Sequence, residues 1–136
     1  MSVHQPIRSS RPGGDETDTP SILIVDDERE IVGFLHDLLE SEGYRVQDAF
    51  DGDEAIGILR HTTPHLIISD VRMPRVDGQD LLRFIDRIPP EPMPRIILMS
   101  ATGKPSSDTG IPFIEKPFDI EDLLDLVDSA LDDDIA

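Results

Sequence analysis

From Ser21 onward the chain alternates between two hydrophobic rhythms. SILIV at 21–25 is an unbroken aliphatic run that reads as a buried strand, and it ends on two carboxylates, Asp26 and Asp27. Over 28–42, Ile31, Leu35, Leu38 and Leu39 recur at helical spacing along one stripe, and Gly43 is the expected left-handed stop. Residues 44–49 read as a second strand. Asp51 can cap a short helix carrying Ala55, Ile58 and Leu59, and HLIIS at 65–69 is a third strand running straight into Asp70. Asp77 caps the next helix, whose face is Leu81, Leu82, Ile85 and Ile88. PPEPMP ends it, because proline neither donates the helical bond nor lets its predecessor stay helical. A fourth strand covers 95–100 and a short fifth covers 112–115, just before Lys116-Pro117. The last helix starts at an Asp119 cap, with Ile120, Leu123, Leu124, Val127 and Leu131 as its buried stripe. Glu121, Asp122, Asp125 and Asp128 lie largely elsewhere on its surface, where solvation alone accounts for them and partner recognition is the minority reading.

Strand and helix in repeated succession, with short connections and aliphatic strands, predict an α/β fold: a flavodoxin-like, doubly wound, five-stranded parallel sheet in the order 2-1-3-4-5. In that architecture ligands bind beyond the carboxyl ends of the strands. The boundaries follow from the same pattern. Residues 1–20 mix Pro, Gly, Ser, Thr and charge without an apolar period and read as a disordered tail, 21–131 as one domain, and 132–136 as an acidic C-terminal tail.

Composition narrows the partners. The chain of 136 residues suits one core and leaves no room for separate catalytic and DNA-binding domains. A formal net charge of −17, from 29 acidic and 12 basic residues, repels phosphate backbones and anionic lipids, so neither nucleic acid nor membrane is expected as a partner. A divalent cation or a basic partner is favoured. The absence of cysteine excludes a disulfide framework, a thiolate nucleophile and a cysteine zinc site. No apolar run exceeds about five residues, against the roughly 20 of a membrane span, and no signal-peptide region is visible, so a cytoplasmic location is expected.

Three strands end in groups foreign to a core: Asp26 and Asp27 after the first, Asp70 after the third, Ser100 after the fourth. Lys116 follows the fifth. A local turn or cap explains any one of them, but a parallel sheet gathers all of them at one edge. Two carboxylates about 5 Å apart repel by roughly 3 kcal/mol at an effective dielectric near 20, so the cluster needs a counter-charge. A hard divalent ion with oxygen ligands supplies it, which points to Mg2+, whereas the four histidines form no zinc-like cluster. With the cation in place a free carboxylate oxygen is a possible nucleophile toward phosphorus, and Lys116 and Ser100 can stabilise the transferred oxygens.

LIVDDE at 23–28, SDVRMPRVDG at 69–78, MSA at 99–101 and EKPF at 115–118 resemble the receiver (CheY-like) domain of two-component response regulators over about 20–131. The resemblance implies that Asp70 is the phosphoacceptor and that Asp26 and Asp27 hold Mg2+ with it, the Arg72 main-chain carbonyl being a further ligand. It makes Ser100 the switch hydroxyl, Lys116 the phosphate-contacting lysine and Ala101 the small residue that leaves the phosphoryl group room. Phe113 falls where the family keeps a switch aromatic, although plain core packing explains it equally well. The sequence departs from the family between Ser100 and Lys116, where TGKPSSDTG is rich in helix breakers and predicts a fourth helix that is shortened or absent. That puts the family's usual dimer face in doubt, and the acidic last helix lacks basic residues to pair with its own copy, so a monomer is expected.

The implied function is a phosphorelay receiver that takes a phosphoryl group from a sensor histidine kinase or histidine phosphotransfer protein and signals to an unidentified downstream protein, either stand-alone or as part of a hybrid kinase. It is not expected to be an enzyme beyond slow self-catalysed phosphorylation and dephosphorylation of Asp70. Three alternative functions fit the residues less well. A receiver-like interaction module that is never phosphorylated has no reason to keep mutually repelling carboxylates. An aspartate-nucleophile phosphatase of the haloacid-dehalogenase kind requires a carboxylate where this chain has Arg72. A flavin carrier would find its cofactor phosphate repelled by Asp26 and Asp27.

Overall fold

A computed structural model of the chain describes residues 19–71, 78–87, 92–101 and 111–132. In chain order the elements are β1 (Ser21–Val25), α1 (Arg29–Ser41), β2 (Arg45–Ala49), α2 (Gly52–Leu59), β3 (Leu66–Asp70), α3 (Gly78–Arg87), β4 (Arg95–Ser100), β5 (Phe113–Glu115) and α4 (Ile120–Asp132). The strands form one sheet in the order β2-β1-β3-β4-β5, with every neighbouring pair parallel, which is the doubly wound order expected from the pattern.

Side chains alternate across a strand, so an unbroken aliphatic run requires apolar cover on both faces. Ile22 and Ile24 of β1, Leu66 and Ile68 of β3, and Ile97 and Met99 of β4 pack with Leu35 and Leu39 of α1 and Leu123 and Val127 of α4. Leu23, Val25 and Ile67 face the other way, onto Ala55 and Leu59 of α2 and Leu81 and Ile85 of α3. β2 lies at the edge, and only its last residue, Ala49, is fully buried. Two local signals act as read. Gly43 takes φ 99°, a conformation that costs a residue with a Cβ, and the Asp51 carboxylate accepts the Glu54 N–H at 2.8 Å to cap α2.

Two helix faces differ from expectation. On α1 the buried stripe is Val32, Leu35 and Leu39, while Ile31 and Leu38 sit half-buried on its flanks, because the stripe is centred about one residue from where the leucines alone place it. On α4, Ile120 is 42% exposed: it is the first residue of the helix, ahead of the buried stripe that begins at Leu123 and includes Ala130. The expected Asp77 cap, the tail over 1–18 and the segment 102–110, where the fourth helix was expected to be short or missing, lie outside the described residues. Among the described residues no helix is long and apolar enough to cross a membrane.

Candidate functional site

β1 and β3 are adjacent, with Val25 opposite Ser69, so the residues that follow, Asp26 and Asp70, arrive side by side at the carboxyl edge. Asp26 has no solvent exposure and Asp70 is 7% exposed, whereas Asp27 is exposed. The Asp26 main chain continues the sheet, its N–H donating to the Ala49 carbonyl at 3.1 Å. Its Oδ1 accepts the Glu28 N–H at 3.0 Å, which turns the chain toward α1. Asp26, Asp27 and Asp70 each offer a carboxylate oxygen, and these oxygens lie within 4.8 Å of one another. An all-carboxylate set of this compactness suits a hard cation.

Lys116 enters from the far side of the sheet edge. Its N–H donates to the Ser100 carbonyl at 2.8 Å, one rung beyond the Ser100–Glu115 pairing of β4 and β5, so the lysine stays beside the buried Ser100. Its ammonium then reaches back over the sheet to donate to Asp26 Oδ2 at 2.7 Å, Glu28 Oε1 at 2.9 Å and Asp70 Oδ2 at 3.4 Å. The lysine side chain is only 9% exposed. Burial works against its charge, but the hydrogen bonds it donates to Asp26 and Glu28 and the charges of Asp26 and Asp70 outweigh that and raise its pKa above the ordinary value. Burial likewise pushes the Asp26 carboxyl up, while the hydrogen bonds from Lys116 and the Glu28 N–H pull it back.

From the sequence, the counter-charge to the carboxylates is assigned to a divalent ion. In the structure Lys116 already supplies part of it. Asp26, Asp27, Asp70 and Lys116 are brought into one cluster from positions 90 residues apart. Ser100 and Ala101 stand at the end of β4, Ser100 buried and Ala101 exposed, and Phe113 is half-buried on β5 opposite Leu98. Arg72, expected to contribute its carbonyl, lies outside the described residues. Glu28 is the participant missed in the sequence, where it reads only as the close of an acidic run and the start of a helix. Its contact with Lys116 spans 88 residues, and no local pattern encodes it.

The response regulator receiver domain family model matches residues 22–128. The nitrogen assimilation regulatory protein NtrX of Azorhizobium caulinodans is 36% identical over 121 residues, covering 82% of this chain and 26% of NtrX. The chain thus spans less than half the length of the curated relatives it matches. Among solved structures, the chemotaxis protein CheY4 of Vibrio cholerae superposes with a TM-score of 0.75 at 25% identity, covering 82% of this chain and 98% of CheY4. The response regulator TrrA of Thermotoga maritima, solved in complex with Mg2+ and BeF, gives 0.73 at 28% identity, covering 82% and 99%. The strand order, the acidic cluster at the sheet edge and the family match over most of the chain agree, and the chain belongs to the response regulator receiver domains, the phosphoacceptor signalling modules of two-component systems.

Proposed function

We propose that Asp70 is the phosphoacceptor, receiving its phosphoryl group from a phosphohistidine on a sensor histidine kinase or histidine phosphotransfer protein. The observation that carries this reading is the placing of the Asp70 carboxylate between two further carboxylates and a buried ammonium 3.4 Å away. An Asp70 oxygen attacks phosphorus as the phosphorus–nitrogen bond breaks. The leaving imidazole keeps the electron pair and Asp70 becomes an acyl phosphate. Lys116 and the Ser100 hydroxyl stabilise the equatorial oxygens, Ala101 leaves them room, and Phe113 with Ser100 forms the switch. Mg2+ would be held by Asp26, Asp27 and Asp70 with the Arg72 main-chain carbonyl, and when bound it neutralises charge on the phosphoryl oxygens.

On this reading the chain is a cytoplasmic monomer whose domain spans 21–131 and which acts on a downstream protein by binding. Acetyl phosphate with Mg2+ tests the acceptor. Intact mass should rise by one phosphoryl group in the parent and not in Asp70→Asn. Equal gain in both, or none in either, would overturn the assignment.

A further inference from the structure

An ammonium has three N–H donors, and those of Lys116 are all engaged, by Asp26, Glu28 and Asp70. A phosphoryl oxygen on Asp70 is a fourth acceptor, so one existing partner must yield. Asp26 has no solvent exposure, and stripping its counter-charge would leave a carboxylate uncompensated in the interior. Asp70 carries the incoming group itself. The Glu28 side chain is 59% exposed, and water can rehydrate its carboxylate at little cost.

The placing of Glu28 points the same way. It is the N-cap residue of α1, with extended backbone angles, yet its side chain makes no capping hydrogen bond. Short polar residues serve that position better, and here the carboxylate is turned to Lys116 instead. The backbone holds it there, because the Glu28 N–H is bonded to Asp26 Oδ1 and its carbonyl accepts the Val32 N–H at 3.1 Å.

We propose that Glu28 is a positioning residue for phosphorylation: its carboxylate competes with the phosphoryl group for the Lys116 ammonium and so sets how firmly the phosphorylated site holds together. The inference rests on Asp70 being the phosphoacceptor. Glu28 is the partner exchanged, and its removal favours the closed, phosphoryl-bound arrangement.

The test is beryllofluoride binding at saturating Mg2+, followed by fluorine NMR, in the parent, Glu28→Gln and Glu30→Gln. Glu30 stands exposed in the first turn of α1 and serves as a control for general charge. Glu28→Gln should bind about three- to fivefold more tightly than the parent, the range of a partly exposed ion pair, and Glu30→Gln should differ by less than about 1.5-fold. In a Lys116→Gln background, adding Glu28→Gln should change nothing, a result that a merely structural role for Glu28 does not produce. Equal gains in the two glutamate variants, weaker binding in Glu28→Gln, or a gain that persists without the lysine would overturn the inference alone. A parent that does not bind, or Asp70→Asn binding equally well, would overturn the acceptor assignment beneath it.

Discussion

Removing the Lys116 ammonium strips a fully buried carboxylate of the cation that hydrogen-bonds to it at 2.7 Å. In the presence of chelator, Lys116→Ala is expected to cost about 3 kcal/mol near neutral pH. Asp70→Asn is expected to leave stability equal or higher, because it gives up the longest of the three lysine contacts and removes repulsion from two neighbouring carboxylates. Burial raises the folded pKa of Asp26 above its ordinary 3.8, so its contribution is complete below 3.8 and is lost as pH rises through the folded value. The Lys116→Ala deficit should therefore shrink on going from about pH 7 to about pH 4, as Asp26 takes up a proton in place of the missing partner. Urea titrations at both pH values check this, and a deficit unchanged by acid would mean that Asp26 is not the group left unpaired.

Between elements, α1 is pinned to the edge strand β2 by His36, whose Nδ1 lies 2.8 Å from Asp48 Oδ1 and whose Nε2 lies 3.2 Å from Glu40 Oε2. The hydrogen bond to Asp48 raises the pKa of His36 above 6.5. A raised histidine contributes fully below 6.5, and its contribution is lost as pH rises through the folded value. Both side chains are more than a quarter exposed, so solvent limits the effect to less than about 1 kcal/mol. Thermal melts should fall slightly between about pH 6 and pH 8, with a flatter profile in His36→Gln; the same slope in both proteins would assign the dependence to other groups.

The central strands and their order were legible in the sequence because both faces of β1, β3 and β4 are covered, which forces unbroken apolar runs such as ILIV and LII. Caps and stops were legible for a local reason, since Asp51 and Gly43 act within a few residues of themselves. The Ile120 error has the opposite cause: helical period gives a face, but where along the helix burial begins depends on the sheet it meets. Asp26, Asp27, Asp70, Ser100 and Lys116 could be read as candidates because strand ends meet at one edge. The reach of the Lys116 ammonium to Glu28 could not, because it depends on the bend of two side chains in the folded chain.

For the molecule as a whole, a net charge of −17 means that folding gathers like charge, and among the described residues three carboxylates meet at the sheet edge. An ion that binds only the assembled cluster stabilises the fold by mass action. Melting temperature should therefore rise with Mg2+ in the parent and much less in Asp27→Ala, which removes the exposed carboxylate without disturbing the buried pair. Matched ionic strength in NaCl separates site binding from screening, and equal responses of parent and variant to Mg2+ would rule out the cluster as the cation site.

The hydrogen bond from the Lys116 N–H to the Ser100 carbonyl carries its own consequence. It adds a rung beyond the Ser100–Glu115 pairing of β4 and β5 and ties the main chain that carries the hydroxyl to the main chain that carries the ammonium, so a shift of one strand tip is expected to be felt at the other.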